Sequence, residues 1–155
     1  MKKILKRGFF LAVIAFIAIQ FINRPDKTVA MELSQDDVTK KINVPDNVHG
    51  ILKRACYDCH SGQTKWPWYS SVAPVSWLVA DDVVEGRKKM NFSEWGKIPQ
   101  SKQELRLEDI CEEIKTDEMP LPKYLILHSN AKLTDADKDI LCKWAEAEKK
   151  KLSGE

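Results

Sequence analysis

Cys56-Tyr57-Asp58-Cys59-His60 is the stretch on which the reading of this 155-residue chain turns. Cys-x-x-Cys-His is the attachment signature of c-type haem, and its spacing has a chemical reason. Two thiols three positions apart, at the end of a helical turn, can each add to one vinyl group of a porphyrin while the next residue offers imidazole to the iron. Two other chemistries use the same thiols. A dithiol redox pair wants a βαβ context, which the surrounding sequence does not offer. A zinc site needs a further ligand, for which Cys111, Cys142 and His128 are the candidates. Haem is the reading carried forward: one per chain, attached through Cys56 and Cys59, with His60 as ligand to the iron.

Outward from the motif the pattern is helical. Val48, Ile51, Leu52 and Ala55 fall at i, i+3, i+4 and i+7, one face of a helix that delivers Cys56 at its end. An irregular stretch with Trp66-Pro67-Trp68-Tyr69 follows, and a second helix is expected from Val75 to Lys89, burying Leu78, Val79 and Val83. Ser101-Lys102-Gln103-Glu104 has capping-box form and opens a third, with Leu107, Ile110, Cys111 and Ile114 as its apolar stripe; it must end before Pro120. Thr134 caps the last helix through Asp137, with Ile140, Leu141, Trp144 and Ala145 inward. No strand-like alternation of useful length occurs, so the expected class is all-α.

The N-terminus carries a different signal. The first 24 residues hold five basic side chains and no acid, and residues 8–22 are apolar except for Gln20. A basic flank before an apolar run marks an export signal or an uncleaved anchor, with the basic end kept in the cytoplasm. Thr28-Val29-Ala30 is the one passable cleavage triplet and lies far beyond the run. Retention as an anchor is therefore the expectation, although a spanning helix usually wants ~20 apolar residues. The chain divides into a signal or anchor at 1–24, a polar tether at 25–44, a haem domain at 45–149 and a charged tail at 150–155.

Without the five basic residues of the leader, 20 Lys and Arg face 23 Asp and Glu, a net charge of −3. No basic stripe remains to argue for nucleic acid. The sixth ligand to iron is expected from Met119, in the loop Thr116-Asp117-Glu118-Met119-Pro120, with His128, His49, Met90 and an open site as alternatives. Trp66, Trp68, Tyr69, Trp77, Trp95, Tyr124 and Trp144 are many large aromatics for one small domain, and covering the two apolar faces of a macrocycle is a use for them. Trp68 and Tyr124 are the candidate donors to a propionate. Cys111 and Cys142 fall on inward helix faces, where a disulfide and two buried thiols both remain open.

Several of these segments resemble a known family. Asp58-Cys59-His60-Ser61, Trp66-Pro67-Trp68-Tyr69, Ala73-Pro74-Val75-Ser76-Trp77-Leu78, Asn91-Phe92-Ser93-Glu94-Trp95, Glu118-Met119-Pro120-Leu121-Pro122 with Tyr124, and Leu127-His128 are similar to the bacterial haem-binding domain proteins, small membrane-tethered relatives of cytochrome c. The resemblance spans roughly residues 10–148 and implies a cytochrome c-like helical fold. It also implies attachment at Cys56 and Cys59, His60 as proximal ligand and Met119 as the matching Met-Pro position. Cys111 and Cys142 are not part of that pattern. The function expected is one-electron transfer between redox partner proteins at the outer, periplasmic face of the membrane, without catalytic residues. A haem-based sensor or a small peroxidase-like enzyme with an open sixth site is the alternative.

Overall fold

The computed structural model describes residues 2–29 and 32–154, so Ala30 of the possible cleavage triplet lies outside it. Within the described residues the protein is all-helical, with eight α-helices, three 3-10 turns and no strand. The helices are α1 (Lys2–Ile19), α2 (Val38–Lys41), α3 (Asp46–Ala55), α4 (Tyr57–His60), α5 (Val75–Lys89), α6 (Gln100–Lys115), α7 (Pro122–Leu125) and α8 (Asp135–Ser153). The 3-10 turns are Trp68–Ser71, Phe92–Lys97 and Ser129–Ala131.

The core forms where α6 packs along α8 and α3 closes over them. Leu107, Ile110 and Ile114 of α6 meet Leu141, Trp144 and Ala145 of α8, with Val48, Ile51 and Leu52 of α3 against them. All these positions lie on the faces that the 3.6-residue period selects. Cys111 and Cys142, facing each other across the α6–α8 contact, are joined as a disulfide with their Cα atoms 4.8 Å apart. Two helix starts differ in how they are capped. Thr134 and Asp137 make the reciprocal capping box of α8, whereas α6 begins one residue before Ser101 with Pro99 at its N-cap and no side-chain cap. The Ser101-to-Glu104 box is therefore not used; Gln103 Nε2 instead donates to the carbonyls of Trp95 and Ile98, at 3.2 and 3.0 Å.

Three expectations need correction. The polar tether is shorter than residues 25–44, because Asp37 and Val38 are each 0 % exposed. Asp37 caps α2 by accepting from Thr39 N, and Trp144 Nε1 donates to Asn43 O at 2.8 Å, which ties this segment to α8. The tail is also shorter, since α8 continues to Ser153 and ends on Gly154 in the left-handed conformation. Helix α5 has the expected limits and buries Val83 as expected, but the rest of its inward face is Ser76, Ala80 and Gly86, while Leu78 is 60 % exposed. Small residues win there because α5 lies almost on the backbone of α4, as shown below.

Helix α1 is exposed along its whole length, with no buried residue. No helix among the described residues is long and apolar enough to cross a membrane. In α1 the basic residues occupy the first turns, and the apolar part that remains, Gly8 to Ile19, rises only ~18 Å against a hydrocarbon core of ~30 Å.

A candidate haem site

Cys56 ends α3 and opens α4, so the single turn Tyr57–His60 carries the whole motif between two helices. Its amides close locally: Cys59 N and His60 N both donate to Cys56 O, at 3.2 and 2.9 Å. Tyr57 turns its ring into the core, 2 % exposed and stacked on Phe92 with centroids 5.4 Å apart. That inward anchor leaves the thiols and the imidazole on the opposite side, against a cavity of about 590 Å³, within the range usual for pockets that enclose cofactor-sized ligands.

Cys56, Cys59, His60, Met90, Met119 and Tyr124 all line this cavity, with Ile110, Ile114, Leu121 and Leu133 among its apolar walls. His60 Nδ1 lies 3.1 Å from Met90 O and donates its proton to that carbonyl. The bond fixes the ring and assigns the lone pair to Nε2, the tautomer a metal-ligating histidine adopts. Burial also lowers the His60 pKa, against smaller opposing effects of the carbonyls of Met90 and Gly86, which favours the neutral ring. Met119 reaches the cavity through a left-handed turn. Asp117 has φ +60°, and Glu118 N and Met119 N both donate to Glu113 O, at 3.0 and 3.2 Å. This is a Schellman-type end to α6, and it points the chain back toward α4.

The two cysteines are free of any disulfide. Burial, with Cys59 beside it, pushes the Cys56 thiol up to about 12. Burial, followed by the carboxylates of Asp82 and Asp58, pushes Cys59 up to about 11. Both are thus neutral thiols near pH 7, poorly suited to thiolate exchange. The zinc alternative loses its further cysteines, because Cys111 and Cys142 are bonded to each other, and no cluster of three metal-ligating side chains occurs among the described residues.

Two histidines considered as iron ligands lie away from the cavity lining. His128 stacks on the Tyr124 ring at 4.0 Å, and His49 packs edge-on to Tyr57 at 5.8 Å. Trp68 is also outside: it is 81 % exposed and lines no part of the cavity. Tyr124 lines it, and its hydroxyl donates to Asp58 Oδ2 at 2.8 Å. Of the seven aromatics expected over the macrocycle, Tyr124 alone borders the cavity, joined by Phe92; Trp95 and Trp144 belong to the core. The walls are instead aliphatic, because α6 turns its Ile110–Ile114 stripe to this side.

Residues that sequence reasoning passed over hold the motif in place. A Cβ on Gly86 would lie 2.7 Å from Cys59 O, so α5 can approach α4 this closely only with glycine there. Arg87 Nε donates to Ser61 O at 2.8 Å, and its Nη2 donates to Thr64 Oγ1 at 2.9 Å. Thr64 Oγ1 in turn donates to Asp58 O at 2.7 Å. Lys89 and Arg106 line the cavity together with Asp58, Asp82, Glu85, Asp109 and Glu113, and Arg106 Nη1 pairs with Asp109 Oδ2 at 2.7 Å. A signal for Gly86 and Arg87 existed in the sequence as a glycine inside a helix followed by a basic residue, but nothing there names their partners.

A family model described as a haem-binding domain matches residues 14–147, which include every lining residue named above. No curated protein and no solved structure gives a match.

Proposed function

The chain belongs to the haem-binding domain family, and from that premise we propose that it is a c-type cytochrome carrying single electrons at the outer face of a membrane. The observation that carries this reading is the meeting of Cys56, Cys59, His60 and Met119 in one cavity, with the His60 ring oriented by Met90 O. Cys56 and Cys59 would hold the macrocycle as thioethers; addition of a neutral thiol across a vinyl bond consumes no oxidant. His60 would ligate through Nε2, and Met119 would offer a thioether as a second ligand to the iron. Haem so ligated supplies a reversible one-electron couple, and a His/Met pair raises its potential. Around it the chain excludes water with Ile110, Ile114 and Leu133, while Lys89 presents a cation suited to a propionate carboxylate.

Export and attachment follow from the basic, then apolar N-terminus. We take residues 8–22 to be retained in the bilayer, with the haem domain on the periplasmic side and redox proteins of the same membrane as partners. The role so assigned is carriage and not catalysis, and it involves no nucleic acid.

The test is the visible spectrum of the full chain matured with haem, oxidised and reduced, before and after carbon monoxide. Sharp reduced bands untouched by carbon monoxide, with colour that stays on the polypeptide after denaturation, are expected. A ready shift with carbon monoxide would overturn the carrier reading in favour of a sensor or enzyme. Colour lost on denaturation would overturn covalent attachment.

A further inference from the structure

Several exposed apolar side chains of the domain belong to the segment that meets the end of α1. Trp68 is 81 % exposed, and Val75 and Leu78, at the start of α5, are 42 % and 60 % exposed. The Trp68–Ser71 turn packs against α5, the helix that carries Val75 and Leu78. On the other side the Tyr69 ring meets His128 at 6.1 Å, next to Leu127, 66 % exposed.

This surface is joined rigidly to the N-terminal helix. Gln20 Nε2 donates to Ala73 O at 3.1 Å, and Ala73 N donates to Gln20 Oε1 at 2.9 Å. Seven residues further on, Lys27 Nζ donates to Ser70 Oγ and Ser71 Oγ, at 2.9 and 2.8 Å. The end of α1 is therefore clamped against the segment between Trp68 and Val75, with no slack between helix and domain. An apolar stretch shorter than the hydrocarbon core draws its flanks into the interface and thins the bilayer around it. With the clamp in place, the flank drawn in is the domain face. Its composition suits that depth: tryptophan favours the headgroup level, and Arg24, exposed and donating to Gln20 O beside the junction with Ala73, suits anionic headgroups.

We propose that the Trp68–Leu78 face is a second membrane contact, seated in the headgroup region of an anionic phospholipid bilayer. The inference rests on the reading of residues 8–22 as lodged in that bilayer. It would hold the haem cavity at a set height and angle above the lipid, since Tyr69 connects this face through His128 to Tyr124 on the cavity lining.

The test uses the full haem-loaded chain in vesicles of phosphatidylcholine with a minority of phosphatidylglycerol, doped with a phospholipid bearing a photoreactive diazirine near its glycerol. After irradiation, adducts are mapped by peptide mass spectrometry. Adducts on residues 66–78 as well as 8–22 are expected, and those on 66–78 should fall severalfold in a Trp68→Glu, Leu78→Glu double variant whose visible spectrum is unchanged. Adducts confined to 8–22 would overturn the second contact and leave the anchor standing. Absence of adducts from both segments would overturn the anchor and the contact together. Labelling of 66–78 that the double variant leaves intact would also overturn the assignment of this face.

Discussion

The Tyr124 hydroxyl donates to Asp58 Oδ2 at 2.8 Å, so the segment just after Met119-Pro120-Leu121 is tied directly to the Cys-x-x-Cys-His turn. Asp58 Oδ1 accepts from Lys65 N at 3.0 Å, which makes one carboxylate the junction of three stretches of chain. Burial, and then the bond to Asp58, raises the Tyr124 pKa, so the phenol keeps its proton and the bond through neutral and mildly alkaline pH. A hydrogen bond to a charged acceptor is worth ~1.5–3 kcal/mol, and with Tyr124 only partly buried its loss falls somewhat below that range. Tyr124→Phe is expected to lower stability by about 1 kcal/mol in urea unfolding and to loosen the Met119 segment, read as faster amide exchange at residues 119–125. Unchanged exchange would show that the bond does not hold that segment.

Gly86 and Gly50 make a matched pair of helix glycines with opposite expectations. A Cβ on Gly86 meets Cys59 O at 2.7 Å, whereas one on Gly50 meets nothing within 4 Å. Gly50→Ala should therefore raise stability by ~0.5–1 kcal/mol through helix propensity. Gly86→Ala should lower it by ~1–3 kcal/mol, the usual cost of overpacking, and should reduce haem loading because the displaced backbone is that of Cys59. Thermal unfolding of the two variants side by side checks both signs.

The capping box of α8 gives a pH-dependent prediction. Asp137 has its pKa lowered, first by the Thr134 backbone amide and also by the Thr134 hydroxyl and Arg54. A depressed carboxylate contributes stability above its unfolded value and loses it as pH falls through the folded value. Asp137→Ala is expected to cost ~1 kcal/mol near pH 7, the usual worth of such a cap. The gap from the parent protein should close as pH drops below the ordinary carboxylate range. Urea midpoints at several pH values read it, and a gap independent of pH would show that the charge of Asp137 does not carry the effect.

What could be read in the sequence was what depends on neighbouring residues. The limits of α5, the α8 cap and the apolar stripes of α3, α6 and α8 all follow from local spacing, and the motif at 56–60 is contiguous. The buried face of α5 was not legible, because an apolar count favours Leu78 and Val79, while a close contact with another backbone selects Ser76, Ala80 and Gly86. Segment 37–44 was hidden for a related reason: Asp37 is polar, yet buried by its cap. The partner of His60 is a main-chain carbonyl, which every residue possesses, so no side chain at position 90 announces it. Trp68 misled because aromatic content does not say whether a ring faces a cavity or the outside.

Two methionines line the cavity, and substituting each tells their roles apart. Met90 already acts through its backbone, accepting from His60 Nδ1, and a carbonyl survives exchange of its side chain. Met119 follows the left-handed Asp117 turn, a loop geometry whose one evident product is delivery of that side chain to the cavity. Leucine keeps the volume of methionine, and such swaps usually cost under ~1.5 kcal/mol, so both variants should fold. Met119→Leu is expected to let carbon monoxide bind the reduced protein and to lower the reduction potential, because a thioether ligand is lost. Met90→Leu should leave both properties as they are. If Met90→Leu opens the iron and Met119→Leu does not, the axial ligand is Met90, and the turn at Asp117 serves only to close the cavity wall.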